Sequence, residues 1–334
     1  MPLDRNDVVR RAHGALVGVA IGDAMGAPVE GRTATEIRAA HGRLTGFLNA
    51  ETAGTDDTDF TLFNAHLLIT FGKTITREQV ESEWRDKLLA PGRAYRPGGF
   101  SDVCSTRNLA AGLHAPESGA FNHQMWSDGV AMAISPAGIV AAGDPELAAR
   151  LAATLGAVSN GRDGIHAAQA VAAAIAVAMT GATPDDMLAA AQGVVPADSW
   201  TGRALARAAQ TAALLPDDLD GALAMLSERL VVPWWPWADL VTEAVPLAFG
   251  AFLATRGEFR RAVPAGISLG RDADTIGAIV GSLAGAYGGR DAVPDDWATR
   301  AAVSAGKCIG FVAGQQIERV AAQLVACAFA GGDA

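Results

Sequence analysis

Apolar residues recur along this chain with the spacing of three and four that is typical of helices packed on a core, and the pattern predicts a nearly all-helical protein. Alternation with a period of two does not persist beyond a few residues, so no β-sheet is required. The predicted helices cover residues 6–21, 59–71, 76–89, 145–155, 164–179, 184–191, 202–214, 219–229, 240–255, 258–265, 275–287 and 300–329. We expect a break in the last of them, near Gly310 or Gly314.

Helix-capping signals support several of these boundaries. Asp144-Pro145 and Thr183-Pro184 each place a capping side chain before a proline in the first turn. No Gly/Ser-rich or Pro-rich linker and no internal repeat divides the chain. We therefore expect residues 1–334 to form a single domain. A chain of this length can fold around one large core.

A glycine stripe marks one of the predicted helices. Gly277, Gly281 and Gly285 recur at every fourth position of the helix predicted over residues 275–287. Such a stripe allows a neighbouring helix to approach so closely that a side chain would clash. We expect this helix to lie deep in the core, with its N-terminus directed at the functional site.

The longest irregular segment covers residues 90–137 and is rich in Gly, Pro, Ser, His and Asn. Because loops of this length in compact domains are usually functional, we expect it to form a wall of the site. Trp126 in this segment is a candidate for stacking on a ring of the ligand. We interpret the Trp-Trp-Pro-Trp run at residues 234–237 as a bulky plug over the core, with an aromatic wall of the site as the alternative.

Composition and charge narrow the class of protein. Of the 334 residues, 50% are hydrophobic, which allows a large core, and the net charge is −10. That charge argues against nucleic-acid binding and against docking on anionic membranes. It does not exclude a phosphate-bearing small ligand, because a bound divalent cation can invert the local field. The three cysteines have no close spacing and indicate reduced thiols in a cytoplasmic protein.

The N-terminal region resembles a signal peptide only superficially. Arg10-Arg11 precede an apolar stretch over residues 15–21, but Asp23 ends that stretch and no clear processing site follows. We interpret it as a helix of the mature protein. The longest apolar run, residues 167–182, is too short to span a bilayer, so we expect no membrane partner. For assembly we expect a monomer or a weak homo-oligomer.

Two short acidic clusters, more than two hundred residues apart, are the strongest chemical signal: Thr55-Asp56-Asp57-Thr58-Asp59 and Asp272-Ala273-Asp274-Thr275. Asp or Thr before an apolar helix often only caps it, but two similar clusters favour a shared site. If the fold brings them together, each pair of carboxylates at ~4 Å would cost about 4 kcal/mol at an effective dielectric near 20. Such a site needs protons or hard cations such as Mg²⁺, Mn²⁺ or Ca²⁺.

Three motifs, in this order along the chain, resemble those of the ADP-ribosylglycohydrolase family, which includes the enzyme that removes ADP-ribose from dinitrogenase reductase. They are GVAIGDAMGAPVE at residues 18–30, TDDT at residues 55–58 and GRDADT at residues 270–275. The similarity runs from about Ala12 to about Trp297 and so covers most of the chain.

The resemblance implies an all-α, single-domain orthogonal helical bundle of the ADP-ribosylglycohydrolase type. It further implies that the bundle surrounds a binuclear metal centre that holds two Mg²⁺, or Mn²⁺ in their place. It also implies hydrolysis at the anomeric carbon of a ribosyl group, which requires a proton for the leaving group and an activated water. The metal ligands that it implies are Thr55, Asp56, Asp57, Asp272, Asp274 and Thr275.

The same resemblance suggests Asp102, Glu30 and Asp57 as catalytic candidates. Asp102 lies in residues 99–106, which are similar to the family's Asp-Ile-Gly-x-x-Thr segment with a cysteine in place of the glycine. Glu30 is expected near the metals as a base or a gate, unless it is an exposed loop residue. Asp23 is expected to cap or buttress a turn. The choice of principal base between Asp102, Glu30 and a metal-bound water stays open.

Three departures from the family pattern bear on the substrate. Residues 127–133 have Asp for the family's Asn and Ala for its Arg, and residues 159–160 have Ser-Asn for its Ser-His. Arg271 stands where many members have glycine, and we expect it to pair with a ligand carboxylate or to restore phosphate binding. The other changes disfavour a pyrophosphate. The candidate substrate-binding residues are Trp126, Asp128, Gly129, Met132, Ser159, Asn160 and Arg271.

The leading hypothesis is a Mg²⁺-dependent hydrolase of a ribosyl N- or O-glycosidic bond, with ADP-ribosyl groups on a small molecule or a protein as the default substrate. A smaller N-riboside or nucleoside-like metabolite is the alternative. A hypothesis of another class is a catalytically inactive binding or structural protein, like the crystallins related to this family. The intact acidic motifs argue against it, because an inert protein does not need four converging acids.

Overall fold

Helices make up the regular structure of this protein. The computed structural model describes residues 3–50 and 53–330, and these ranges contain no β-strand and four isolated β-bridges. The α-helices of the described residues are α1 (Arg5–Gly26), α2 (Ala34–His41), α3 (Asp56–Phe71), α4 (Arg77–Glu83), α5 (Phe100–Ala110), α6 (Glu117–Ala120), α7 (Ser135–Val140), α8 (Pro145–Gly156), α9 (Asp163–Ala178), α10 (Pro184–Gly193), α11 (Trp200–Leu214), α12 (Leu219–Leu230), α13 (Val241–Ala254), α14 (Phe259–Ile267), α15 (Ala273–Gly288), α16 (Asp295–Arg300) and α17 (Ile317–Phe329). Four 3₁₀ turns (Ala27–Val29, Gly72–Thr74, Arg290–Ala292, Gly310–Val312) and a π-helical segment (Trp84–Leu89) accompany them. The all-α prediction is confirmed.

Two predicted segments differ from the structure. The helix predicted over residues 300–329 does break near Gly310 and Gly314 as expected, but the break is longer: α16 ends at Arg300 and α17 begins only at Ile317. Gly306 and Gly314 in between adopt φ values of 64° and 77°, which an α-helix does not accommodate. The segment predicted as irregular over residues 90–137 contains α5 and α6.

Helices α1 and α15 run antiparallel and touch through their backbones. A Cβ added to Gly18 would overlap the carbonyl of Gly281, and the same clash arises one turn further along at Gly22. The glycine stripe on α15 therefore does accompany a close approach, and its partner is a second stripe on α1. Because the end of α1 meets the start of α15, Asp23 and Asp274 lie at the same end of the pair.

The N-terminal apolar helix belongs to the core. By length and composition the stretch Arg5–Val29 could cross a membrane, but 83% of its most apolar part is buried inside the protein. Buried apolar residues from Val8 in α1 to Val325 in α17 form one continuous cluster. α1 is thus a central core helix, and its C-terminal end brings Asp23 into the interior.

Candidate active site

The starts of α3 and α15 and the turn after α1 meet at one cavity. Its volume is ≈ 360 Å³, and both acidic clusters contribute to its wall. Among the described residues, no Lys, Arg or His lines it, whereas eight carboxylates do: Glu30, Asp56, Asp57, Asp102, Asp128, Asp239, Asp272 and Asp274. The two clusters, distant in sequence, therefore converge in the fold.

Two groups of carboxylate oxygens lie close enough to share cations. Oxygens of Asp23, Asp57 and Asp274 are within 4.8 Å of one another, and so are oxygens of Glu30, Asp272 and Asp274. Asp274 belongs to both groups. The Oδ1 atom of Asp57 is buried and has no hydrogen-bond partner. An oxygen-only donor set that includes an unpartnered buried carboxylate oxygen fits hard divalent cations.

Asp23 fastens the first acidic cluster to α1. Its carboxylate accepts hydrogen bonds from the backbone amides of Thr55 (2.7 Å) and Thr58 (3.0 Å) and from both hydroxyls (2.7 and 2.5 Å). It serves the start of α3 in place of an N-cap, because Thr55 makes no side-chain cap bond. This geometry agrees with the expected buttress, and Asp23 also belongs to the first group of carboxylate oxygens.

Because the acidic cluster is buried, ionised carboxylates without a neutralising cation are unfavourable there. Burial raises the pKa of Asp57, Asp272 and Asp274 well above the ordinary carboxyl value, and the neighbouring carboxylates add to that effect. Burial also raises the pKa of Asp23 to about 6, although the hydrogen bonds from the two threonines counteract the effect. A bound divalent cation would offset this electrostatic cost by supplying positive charge.

Asp102 lies on the cavity wall in the first turn of α5. Its Oδ2 accepts a hydrogen bond from the amide of Gly99 at 3.4 Å. Burial, followed by the negative charge of Asp56, raises its pKa to about 7. A carboxyl group with that pKa can accept or donate a proton near neutral pH.

The candidates for substrate binding fall into two sets. Three line the cavity: Asp128, Gly129 and Met132. Four are not part of its wall: Trp126, Ser159, Asn160 and Arg271. Asn160 donates hydrogen bonds from Nδ2 to the carbonyls of Met125 (3.2 Å) and Ser127 (3.0 Å), so it holds the segment next to Asp128. The ring of Trp126 packs against Trp235 at a centroid distance of 5.7 Å.

Arg271 is engaged within the protein. Its Nε donates to Oε1 of Glu243 at 2.6 Å, and its Nη2 donates to the carbonyls of Trp235 (3.1 Å) and Trp237 (2.9 Å). In this structure the carboxylate that pairs with Arg271 therefore comes from the protein itself. Its side chain therefore holds the aromatic run through two hydrogen bonds to backbone carbonyls.

Residues outside the list of site candidates from the sequence also line the cavity. Phe100, Trp237 and Asp239 line it, and the carbonyl of Asp239 accepts a hydrogen bond from the amide of Asp128 at 3.1 Å. Both carboxylate oxygens of Asp239 are shielded from solvent and lack a partner. Trp237 fits the alternative interpretation of residues 234–237 as an aromatic wall of the site. No signal in the sequence distinguished Asp239.

A larger cavity of ≈ 610 Å³ lies between α2, α12 and α14. None of the candidate residues lines it. The convergent carboxylates therefore assign the candidate chemistry to the smaller cavity.

Comparisons with known proteins agree with the observed architecture. The sequence model of the ADP-ribosylglycohydrolase family matches residues 4–332. An uncharacterised protein of Archaeoglobus fulgidus is 29% identical over 290 residues, which span 84% of this chain and 88% of that protein. A solved structure described as an ADP-ribosylglycohydrolase-related protein complex covers 97% of this chain and 99% of its own, with a TM-score of 0.66. At 24% identity, the latter similarity concerns the fold alone.

Proposed function

The chain belongs to the ADP-ribosylglycohydrolase family, and on that premise we propose that it is a Mg²⁺-dependent hydrolase of a ribosyl N- or O-glycosidic bond. One observation carries the proposal. Two groups of carboxylates that share Asp274 adjoin the cavity that Asp102 lines, so a set of cation ligands and a proton-exchanging group face one space. Hydrolysis of a glycosidic bond uses that combination.

In the proposal, two Mg²⁺ ions, or Mn²⁺ instead, are held by the two acidic motifs. The unpartnered Oδ1 of Asp57 and the oxygen-only character of the site support this assignment. Asp23 belongs to the first of these oxygen groups and would extend the ligand set that the sequence predicts, whereas Glu30, in the second group, is assigned to proton exchange. When bound, the ions would supply Lewis-acid polarisation and offset the repulsion among the carboxylates. The proposed ligands are Thr55, Asp56, Asp57, Asp272, Asp274 and Thr275.

The protein's own carboxyl groups would exchange the protons. Asp102, with a pKa of about 7, would accept the proton of the attacking water, because a substantial part of it is ionised near neutral pH. Glu30 is exposed and lines the same cavity, where it can serve as the second acid–base group. The hydrogen bonds that Asp23 accepts keep the start of α3, and with it Asp57, in a fixed position.

A smaller N-riboside or nucleoside-like metabolite is a second candidate substrate, and the charge of the cavity favours it. An ADP-ribosyl group carries a negatively charged pyrophosphate, but eight carboxylates and no basic side chain of the described residues line this cavity. Carboxylates that are ionised and not neutralised by a bound cation would repel that pyrophosphate, at about 4 kcal/mol for a pair at ~4 Å and an effective dielectric near 20. A neutral riboside avoids that repulsion.

A hydrolysis screen followed by chromatography tests the proposal. ADP-ribosyl-arginine, O-acetyl-ADP-ribose and a panel of nucleosides are each incubated with the protein in Mg²⁺ and in EDTA. We expect Mg²⁺-dependent cleavage of at least one class and none in EDTA. Cleavage of nucleosides alone would select the smaller riboside over the family default.

Two other outcomes of the screen would count against the proposal. Hydrolysis undiminished by EDTA would contradict metal dependence. Absence of both hydrolysis and Mg²⁺ binding, the latter measured by calorimetry, would favour an inactive structural or binding protein.

A further inference from the structure

Arg271 connects three segments that surround the cavity. Its guanidinium reaches α13 and the aromatic run at residues 234–237. Its backbone amide donates to the carbonyl of Arg32 (2.7 Å), and its own carbonyl accepts from the amide of Gly31 (2.8 Å). One residue therefore links the turn after α1, the start of the second acidic motif and the aromatic run.

The backbone of Arg271 adopts a conformation that disfavours side chains. Its φ is 60°, in the left-handed region where glycine is preferred. Arg256 is also left-handed, with φ 55°, but its side chain is 74% exposed and pairs only with the exposed Asp217. The side chain of Arg271 is 16% exposed and pairs with the buried Glu243, which distinguishes it from Arg256.

Glu243 is the buried partner of Arg271. Its side chain is 0% exposed, its Oε1 pairs with Arg271, and its Oε2 accepts a hydrogen bond from the amide of Val232 at 2.8 Å. Removing one partner of a buried ion pair leaves an uncompensated charge, so the two residues depend on each other. We call this ion pair the clamp. It holds the chain on both sides of Trp234, at residue 232 and at residues 235 and 237.

The segment held by the clamp leads directly to the cavity wall. Trp237 lines the cavity, and its ring centroid lies 5.8 Å from that of Phe100, which also lines it. Two residues further on, Asp239 is bonded through its carbonyl to the amide of Asp128. A shift at the clamp would therefore move both the aromatic rim and the carboxylate wall.

We propose that Arg271 and Glu243 are positioning residues that set the shape of the cavity mouth and thereby select the substrate. They act through Trp237 and Asp239 without having to touch the ligand. The kinetic part of this inference rests on the proposed function, whereas the placement of the aromatic run can be measured without turnover.

Three variants and a matched control test the clamp. Arg271→Gly removes the guanidinium, relieves the left-handed backbone and leaves Glu243 without its buried partner. Arg271→Lys keeps the charge but loses the planar fork of donors. Glu243→Gln keeps the shape and loses the charge. Arg256→Gly makes the same change at a left-handed arginine that pairs with the exposed Asp217 and not with the aromatic run.

The readouts separate positioning from general destabilisation. For the substrate that the wild type cleaves best, we expect Arg271→Gly to raise KM roughly tenfold or more, with a smaller change in kcat. Acrylamide quenching of tryptophan fluorescence should increase in the same variant, and the increase should shrink when Trp237→Phe is added. Arg271→Lys should restore part of both properties, and Arg256→Gly should change neither.

The inference is overturned if Arg271→Gly keeps the KM and the quenching of the wild type, or if Arg256→Gly has equal effects. If Arg271→Gly does not fold, Glu243→Gln and Arg271→Lys decide by the same readouts. If the wild type cleaves no riboside, the proposed function fails. The quenching comparison then still decides whether the clamp holds the aromatic run, and unchanged quenching would refute it.

Discussion

Asp57 and Asp59 stand two positions apart in one helical turn and have opposite surroundings. Two residues span about 200° around an α-helix, so their side chains leave on different faces. Asp57 lines the cavity, whereas Asp59 does not and accepts hydrogen bonds through Oδ2 from the amides of Cys308 (2.7 Å) and Ile309 (3.0 Å). Among the described residues, each of the two has a buried Oδ1 without a partner. A variant and its control are therefore available within one motif.

Asp57→Asn should weaken Mg²⁺ binding and hydrolysis by roughly a hundredfold or more, because it removes a charge from a proposed ligand set. Asp59→Asn should retain both properties, since its side-chain oxygen can still accept the hydrogen bonds of the two amides. Calorimetric titration with Mg²⁺ and a turnover assay measure the difference. Full activity of Asp57→Asn would contradict the metal-dependent mechanism.

Asp102 should give the reaction an acidic limb in its pH profile. As a base it must be ionised, so kcat/KM should fall as the pH drops through its pKa of about 7, or lower once cations are bound. Asp102→Asn should slow hydrolysis by roughly 10²–10⁴-fold and remove that limb from the residual activity. An acidic limb that is identical in the variant would assign the base to another group.

At the residue scale, local motifs could be read from the sequence and distant partnerships could not. Asp56 and Asp102 were singled out because the motifs that contain them are continuous in sequence. Arg271 and Glu243 are 28 positions apart, and their pairing depends on how α13 packs beside the second acidic motif. Asp239 was missed for the same reason, since it meets Asp128 only in the folded chain.

At the scale of the helices, substitution of a glycine tests whether the close contact between α1 and α15 is needed for stability. The methyl group of Gly281→Ala would overlap the carbonyl of Gly18, so the helices must separate, at a cost of about 1–3 kcal/mol. Mg²⁺ affinity should fall as well, because Asp23 and Asp274 lie at the end of this pair. Gly193→Ala, with open space around it in α10, is the control and should stabilise by up to about 1 kcal/mol. Urea unfolding measures both, and equal stability of Gly281→Ala and wild type would refute the expectation.

Most helices followed from the apolar pattern, and the failures have physical causes. The prediction over residues 59–71 agrees with α3 except for its first turn, which the acidic cluster forms. The prediction over residues 300–329 placed α-helix where residues 301–316 form none, because glycine conformations and the hydrogen bonds of Asp59 outweigh an apolar spacing that resembles a helix. α2 was not predicted, although Thr33 and Glu36 form the capping box that marks such a start.

For the whole molecule, the metal-free protein should be more stable at about pH 5.5 than at about pH 7.5. Folding raises the pKa of Asp23 to about 6 and of Asp102 to about 7, from an ordinary 3.8. The folded state therefore binds protons that the unfolded state has released, and this stabilisation is lost as the pH rises through those values. Asp163, with its pKa lowered to about 2, acts in the opposite sense only below about pH 4. Burial lowers the pKa of His13, which opposes the trend within this range as one group against the several buried carboxyls of the site. Melting temperatures in EDTA measure the trend, and a higher melting temperature at the higher pH would contradict it.

Mg²⁺ should stabilise the protein more at the higher pH than at the lower pH. At about pH 7.5 and ~100 times the dissociation constant, it should raise the melting temperature by roughly 5 °C. At about pH 5.5 the increase should be smaller, because protons compete for the same carboxylates. An increase of equal size at both pH values would place the ion away from the buried cluster.

The architecture of the whole chain was predictable because the family motifs occur in order and the apolar pattern is helical throughout. The charge balance of the cavity was not, because it is a sum over residues from distant segments. Asp128 alone suggested an added acid, but the absence of a basic side chain from the described wall became visible only in the assembled cavity.

The contact between α1 and α15 has a consequence for redesign. At this contact, even a methyl group in place of hydrogen would meet a backbone carbonyl, so the helix pair that places Asp23 and Asp274 has almost no tolerance for sequence change. The rim, by contrast, includes residues 236–239, which belong to the connection between α12 and α13. A library that randomises residues 234–238 and leaves the glycines, Asp239 and Arg271 intact would explore new substrates without changing a carboxylate of the cavity. Selectivity and chemistry could then evolve as separate modules of one chain.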